Sequence, residues 1–194
     1  MSKENRRRVA EEASRLIVEG VENEYLHAKE RAIMMLGLSS ENCRPANRKI
    51  KEYISRLTRE EMGDEEVNRR LTEMRVIALE VMEVIEDCDP YLIGSTLTGK
   101  IRRSSDVDIH AYCDNPQELE VRLSGSGYEE IDCEIVENMK GEFVHLKWLE
   151  EGYPVEITIY PWSWRDIVPI SSVTQKPMER LPLDGLKNLL RKNG

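Results

Sequence analysis

One stretch decides the fold, and it reads Gly94-Ser95-Thr96-Leu97-Thr98-Gly99-Lys100-Ile101-Arg102-Arg103-Ser104-Ser105-Asp106-Val107-Asp108-Ile109-His110. A short apolar run at residues 91–93 leads into the Gly-Ser turn, and an apolar–acidic alternation follows the turn. Because side chains alternate between the two faces of a strand, Asp106 and Asp108 lie on one face. The stretch therefore combines a turn that can approach a phosphate with two carboxylates that suit a divalent cation.

The same stretch also fits Gly-x-x-x-x-Gly-Lys, the pattern of a P-loop, from Gly94 to Lys100. That pattern continues with Ser or Thr for the magnesium ion, whereas this chain has Ile101. It also continues with a full helix, and only residues 101–105 precede the next strand pattern. The sequence therefore favours the other interpretation, in which Ser95 begins a short helical turn that binds phosphate.

The composition predicts a soluble globular protein. The chain has 194 residues, of which 34% are charged and 40% hydrophobic. No apolar run is long enough to span a membrane, and no apolar segment follows the basic N-terminus, so we expect a cytoplasmic protein. The four cysteines lack metal-ligand spacing, which favours reduced thiols over zinc. The net charge of −9 argues against a large nucleic-acid surface.

Residues 1–88 are predicted to be a helical region. Apolar or small residues recur every three or four positions over residues 3–36, which predicts one long helix that ends at Gly37. Two further helices are predicted over residues 45–62 and 64–85. The helical stripes, together with Met34 and Met35, are assigned to the core.

Strand patterns dominate residues 89–164, which are predicted to form the sheet-containing core of the protein. Besides residues 91–93 and the strand that carries the aspartates, strands are expected at residues 130–136, 143–149 and 155–160, the last two as an antiparallel hairpin. Residues 115–123 are predicted to be a helix with an Asn cap. Residues 165–194 form a tail whose short helix, 183–192, packs on the core. The fold class is α+β, with a mixed sheet and flanking helices.

The central stretch resembles the signature of the DNA polymerase beta-type nucleotidyltransferase superfamily. Its spacing is most similar to that of the minimal nucleotidyltransferases. The resemblance covers residues 91–160 and leaves the N-terminal helices out. The positions that match are Gly94, Ser95, Gly99, Ser105, Asp106, Asp108 and Ile109.

The resemblance implies two Mg²⁺ or Mn²⁺ ions held by three catalytic carboxylates. Asp106 and Asp108 are the first two, and Glu156 on the last strand is the best match for the third, where the family more often has Asp. Asp132 and Glu134 are the fallback candidates. In the implied mechanism the third carboxylate binds the catalytic ion and takes the proton of an attacking hydroxyl, and pyrophosphate leaves.

Several neighbouring side chains are candidates for substrate contact. Lys100 and Arg103, with Arg102 between them, are expected to contact the triphosphate, although a solvated loop is the alternative. His145 and Lys147 share a parity that could bring them to the site, and His110 is either part of the acidic face or an ordinary surface histidine. The aromatic residues Tyr160, Trp162 and Trp164 either stack on a base or belong to the core.

The leading hypothesis is an enzyme that moves a nucleoside monophosphate from a nucleoside triphosphate, ATP being the expected donor, to a hydroxyl of a small molecule or a protein. Nucleic-acid acceptors are disfavoured by the acidic charge. The alternative is a non-catalytic nucleotide-binding or antitoxin-like module, whose N-terminal helices would bind a protein partner or a second copy. A fused helical toxin is not predicted, since the motif of that family, Arg and His separated by four to six residues, is absent around His27.

Overall fold

The structure is a computed structural model that describes residues 2–39, 43–138, 141–171 and 176–193. These residues form seven α-helices, six strands and two short 3-10 helices, Glu86–Cys88 and Trp162–Trp164. The helices are α1 (Ser2–Val18), α2 (Tyr25–Met35), α3 (Asn47–Met62), α4 (Asp64–Val84), α5 (Gly94–Thr98), α6 (Pro116–Gly125) and α7 (Leu183–Asn193). The strands are β1 (Tyr91–Leu92), β2 (Val107–Tyr112), β3 (Asp132–Asn138), β4 (Gly141–Glu150), β5 (Tyr153–Tyr160) and β6 (Leu181–Pro182). The predicted α+β class is confirmed.

The chain divides into two compact units. The first contains Met1–Val67, Lys100–Arg103 and Ser171–Lys176, and the second contains Asn68–Gly99, Ser104–Ile170 and Pro177–Gly194. In the first unit, buried residues of α1, α2 and α3 form one apolar cluster, with Ala13, Ala28, Ala32 and Ile50 fully buried. Small residues let helices approach closely, and the Ser14 hydroxyl bonds to the carbonyl oxygen of Ile50, 3.0 Å away, which ties α1 to α3. The domain boundaries drawn from the sequence, at residues 88 and 164, stay a prediction.

The single N-terminal helix predicted over residues 3–36 is wrong, because α1 ends at Val18 and α2 begins at Tyr25. Gly20 has a φ of 72°, and the amide of Val21 donates to the carbonyl of Leu16 while that of Gly20 donates to Ile17. This is a Schellman motif, in which a left-handed glycine satisfies the last carbonyls of a helix. The apolar spacing continued across the break and concealed it. The predicted stop at Gly37 is confirmed, with the same motif.

The assignment of Met34 and Met35 to the core is also wrong. Their exposed fractions are 73% and 53%, whereas the neighbouring Ile33 is buried. Three consecutive residues of a helix span most of its circumference, so they cannot all face one core. Ile33 occupies the buried face together with Ala28 and Ala32.

The remaining element predictions agree with the structure to within a few residues. The helices α3, α4, α6 and α7 lie where they were expected, and the side chain of Asn115 accepts a hydrogen bond from the Glu118 amide as the N-cap of α6. The predicted hairpin is confirmed, since β4 and β5 pair antiparallel up to Glu150 and Tyr153. The strand expected at residues 130–136 begins two residues later, at Asp132.

The second unit is built on one mixed sheet with the strand order β3-β4-β5-β2-β1-β6. Only the central pair, β2 and β5, is parallel among the strand pairs of the described residues. Val107, Ile109 and Ala111 of β2 face one side with Val155, Ile157 and Ile159 of β5, and all six are buried. Asp108 and Glu156 face the other side, which is the side that carries the site.

Among the helices of the described residues there is none whose length and apolar character would allow it to span a bilayer.

We expect Ile50→Ala to lower the free energy of unfolding of the first unit by about 3 kcal/mol, because it removes a fully buried side chain and leaves a cavity. Leu26→Ala removes a side chain of similar size that is 51% exposed, and should cost less than about 1 kcal/mol. Urea denaturation followed by far-UV circular dichroism measures both. Equal effects of the two substitutions would contradict the core described here.

Candidate active site

The turn after β1 packs directly against the carboxyl group of Asp108. Gly94 has a φ of 71°, and a Cβ atom placed on it would overlap Oδ2 of Asp108 and lie 3.1 Å from its Cγ. The amide of the preceding residue, Ile93, donates to the carbonyl oxygen of Asp108 over 3.0 Å. Both the backbone conformation and the close approach therefore require glycine at position 94.

Two hydroxyl groups fasten the short helix α5 to the start of β2. Thr96 is fully buried, and its Oγ1 donates to the carbonyl oxygen of Asp106 over 2.9 Å. The hydroxyl of Ser95 lies 3.0 Å from that of Ser105. The predicted phosphate-binding turn and the predicted metal-binding aspartates are thus joined by hydrogen bonds as well as by the chain.

Arg75 of α4 supports the other end of α5. Its Nε and Nη2 donate to the carbonyl oxygens of Thr96 and Leu97, both over 3.1 Å. The last carbonyls of a helix lack partners within the helix, and a cation there also complements the helix dipole. Burial lowers the pKa of the Arg75 guanidinium, yet arginine stays charged. Arg75 therefore holds α5 against α4.

The three predicted carboxylates come from adjacent positions of β2 and β5. Asp108 is paired with Glu156 in the parallel register, so their Cα atoms are separated by about one strand spacing, roughly 4.8 Å. Asp106 stands two residues before Asp108, immediately ahead of β2, and shares its parity. All three side chains are intermediate in exposure, which leaves them accessible to a ligand.

Glu156 is held by two basic side chains of β4. Its Oε1 lies 2.6 Å from Nδ1 of His145, and its Oε2 lies 3.7 Å from Nζ of Lys147. Lys147 also binds Glu134 of β3 over 2.7 Å, and this hydrogen bond lowers the pKa of Glu134. His145 and Lys147 therefore do reach the acidic face. The fallback candidate Glu134 is exposed and engaged with Lys147, and Asp132 is exposed one strand farther out.

His110 is part of the interior, although the sequence allowed a surface histidine. It is 4% exposed, its ring centroid lies 4.8 Å from that of Tyr160, and burial lowers its pKa to about 4. It is therefore neutral at physiological pH and serves the packing of the sheet.

The chemistry of the donor set fits a hard divalent cation, although a complete protein cage is not present. In the described part of the chain no three His, Cys, Asp or Glu side chains are grouped so that they could hold a metal ion. Mg²⁺ commonly uses one or two carboxylates together with waters and substrate phosphates, so a full cage is not required. Asp106 and Asp108 supply such a pair beside a turn suited to phosphate.

Lys100 and Arg103, the predicted triphosphate contacts, are both exposed and belong to the segment Lys100–Arg103 of the first unit. Their role in phosphate binding stays a prediction.

Among the described residues, two of the cavities lie in the second unit. One, of about 350 Å³, lies on the acidic side of the sheet and includes His145, Thr158 and Tyr160. The other, of about 410 Å³, lies at the opposite end of β2 from Asp108, around Cys113 and Arg122. Trp164 lines the first cavity and Trp162 lines the second. The sequence offered both tryptophans equally as residues that stack on a base, but they line different cavities.

Sequence reasoning missed two residues that position the site. Thr96 lies inside the recognised stretch, but the pattern gave its hydroxyl no role. Arg75 lies in a helix whose apolar stripe was noted, and nothing in its spacing marked it as a cap for a helix twenty residues away.

Comparisons with known proteins give a limited result. No protein-family model matches the sequence. No curated protein matches it either.

Two solved structures resemble this chain in part. The structure of a cytoplasmic RNA terminal U-transferase aligns at 14% identity and a TM-score of 0.33, over 58% of this chain and 34% of that one. The structure of Cid1, a protein described with RNA terminal uridylyl transferase activity, aligns at 13% identity and a TM-score of 0.35, over 59% of this chain and 37% of that one. The chain thus spans little more than a third of the length of these proteins.

We expect Gly94→Ala to destabilise the protein by about 3 kcal/mol, because it adds a steric overlap with Asp108 to the cost of a left-handed alanine. Gly20→Ala is the matched control: its φ is 72°, but a Cβ there meets nothing within 4 Å. That change should cost about 1 kcal/mol. Thermal and urea unfolding would compare the two, and equal losses would show that Asp108 does not occupy the space beside Gly94.

We expect Arg75→Ala to cost about 2 kcal/mol, since it removes two charge-assisted hydrogen bonds from the carbonyls of α5. Arg48→Ala removes an arginine that is 76% exposed and lies 3.7 Å from Glu52, and should change stability by less than about 0.5 kcal/mol. Amide hydrogen exchange provides a local readout: Arg75→Ala should accelerate exchange in residues 96–99. Unchanged exchange there would refute the capping role.

Proposed function

We propose that this chain is a nucleotidyltransferase that moves a nucleoside monophosphate from a nucleoside triphosphate to a hydroxyl group. The observation that supports this function best is the packing of the Gly94 turn against Asp108, whose neighbour across the parallel strands is Glu156. A glycine turn packed against Asp108, with Asp106 and Glu156 at neighbouring strand positions, suits phosphoryl transfer, in which positioning and charge neutralisation supply most of the catalysis. ATP is the expected donor, as predicted from the resemblance.

The donor side of the site is formed by the turn and by β2. The Ser95 hydroxyl and the backbone of the turn bind the phosphates. Asp106 and Asp108 would hold the divalent ions, Mg²⁺ or Mn²⁺, which neutralise charge on the reacting phosphate and orient it. The hydrogen bond from Thr96 to Asp106 fixes the distance between these two parts.

The acceptor side of the site is formed by β5 and β4. An acceptor hydroxyl beside Glu156 gives up its proton to the carboxylate while its oxygen attacks the α-phosphorus. The new O–P bond forms as the bond from the α-phosphorus to the bridging oxygen breaks, and pyrophosphate leaves with that electron pair. His145, 2.6 Å from Oε1, holds the carboxylate in one orientation for this proton transfer.

A thermal-shift panel of the four nucleoside triphosphates with Mg²⁺ or Mn²⁺ tests the donor site. A ligand specific for the native state raises the free energy of unfolding by about 2.7 kcal/mol at a hundred times its dissociation constant. We expect one triphosphate to stabilise the protein in a metal-dependent manner, and Asp108→Asn to abolish the shift. Asp184→Asn, an exposed position in the first turn of α7, is the charge-matched control. The absence of any metal-dependent shift would reject the proposal.

Glu156→Gln separates binding from chemistry. If Glu156 accepts the proton, this change should lower turnover by about 100-fold and leave the dissociation constant of the triphosphate within a factor of about three. Turnover is followed as pyrophosphate release from the triphosphate in the presence of an acceptor. A parallel loss of triphosphate affinity would instead assign Glu156 to binding of the donor.

A further inference from the structure

The cavity of about 350 Å³ on the acidic side of the sheet has one wall of aromatic side chains. Its inner wall is formed by Phe143, Tyr160 and Trp164, whose rings contact one another: the centroids of Phe143 and Tyr160 are 5.0 Å apart, and those of Phe143 and Trp164 are 5.5 Å apart. Tyr160 and Trp164 lie nearly parallel, with 22° between their planes. Flat faces of this kind accept a ring by stacking.

The outer wall consists of three apolar residues that solvent now reaches. The exposed fractions of Ile167, Val168 and Ile170 are 52%, 40% and 47%. A cluster of exposed apolar side chains at the mouth of a cavity is typical of a ligand site, and cavities of this volume suit small molecules. A ligand that fills the cavity would remove these side chains from water.

The lining selects an uncharged ligand. Among the residues that line the cavity there is no aspartate, glutamate, lysine or arginine. Burial raises the pKa of the Tyr160 phenol to about 12, so this group stays neutral. His145 is engaged with Glu156. A charged group would lose its hydration in this cavity and find no ion to pair with.

The cavity lies next to Glu156, farther along β5. Glu156, Thr158 and Tyr160 share one face of β5, and at about 3.3 Å per residue Thr158 lies roughly 7 Å from Glu156 along the strand. His145 belongs to both places, because it lines the cavity and binds Glu156. The cavity lies on the β4–β5 side, whereas the Gly94 turn follows β1 on the far side of β2.

We propose that this aromatic cavity binds the acceptor, an uncharged ring-bearing compound of low molecular weight that directs a hydroxyl group toward Glu156. The acceptor role rests on the proposed function, whereas ring binding by the cavity does not. Donor phosphates at the turn and the acceptor ring in the cavity would then approach the carboxylates from opposite sides, as transfer between two bound molecules requires.

Isothermal titration of the metal-free protein with 2-phenylethanol, without nucleotide, tests ring binding. For a probe of this size we expect a dissociation constant of roughly 1 mM. Phenylacetate, with the same ring and a negative charge, should bind at least about tenfold more weakly. Absence of saturable binding of 2-phenylethanol, or equal binding of phenylacetate, would overturn the proposal.

Variants of the lining locate the bound probe. Trp164→Ala should weaken binding by about tenfold or more, whereas Trp162→Ala, in the same 3-10 helix but outside this cavity, should leave it unchanged. Because Trp164→Ala could disturb folding, Ile167→Asp provides a second variant at an exposed position, with Val121→Asp on α6, 71% exposed, as its control. If Trp162→Ala or Val121→Asp weakens binding as much as its counterpart, the cavity is not the site.

The acceptor role is tested by repeating the titration with saturating ATP and Mg²⁺. An acceptor must bind together with the donor, so the affinity for 2-phenylethanol should be unchanged or higher. Competition between the two ligands would overturn the acceptor role and place part of the donor in the cavity. A protein that binds 2-phenylethanol but shows no metal-dependent triphosphate shift would refute the proposed function while leaving ring binding intact.

Discussion

The carboxyl group of Asp108 occupies the space in which a side chain at position 94 would lie. The rest of the site follows from this contact. A residue without Cβ lets the turn approach β2, the approach brings Thr96 within reach of the Asp106 carbonyl, and Arg75 closes the far end of α5. One steric constraint thus sets the distance between the element suited to phosphate and the elements suited to metal, and the hydrogen bonds keep it fixed.

Two side chains of β4 hold the carboxyl group of Glu156 in place. Without these neighbours, the negative charges of Asp108 and Glu156, which lie about one strand spacing apart, would repel each other. On the neighbouring strand, Lys147 offsets part of that repulsion, with its Nζ 3.7 Å from Oε2 of Glu156, and His145 lies 2.6 Å from the other oxygen, Oε1. On this face Glu156 of β5 therefore lies between the basic side chains of β4 and Asp108 of β2.

Much of this arrangement is predictable from local patterns. Period-two alternation located β2, β4 and β5, and the joined Gly-Ser and Asp-x-Asp motifs located the turn and the acidic pair. What failed depends on information that spacing does not contain. The apolar spacing continues across Gly20, although a left-handed turn there ends α1. Met34 and Met35 are apolar, but their side chains face solvent. The role of Arg75 and the ring-lined cavity arise from contacts between distant segments, which no local pattern encodes.

The parallel pairing of β2 with β5 also bears on how the protein acquires its site. Hairpins such as β4–β5 join neighbouring segments and close quickly, whereas β2 and β5 are separated in the chain by α6, β3 and β4. Asp108 and Glu156 become neighbours only when that slow, non-local closure is complete. Before β5 pairs with β2, the chain has the turn and the two aspartates but lacks the third carboxylate beside them. The row of acidic side chains is therefore complete only in the finished sheet.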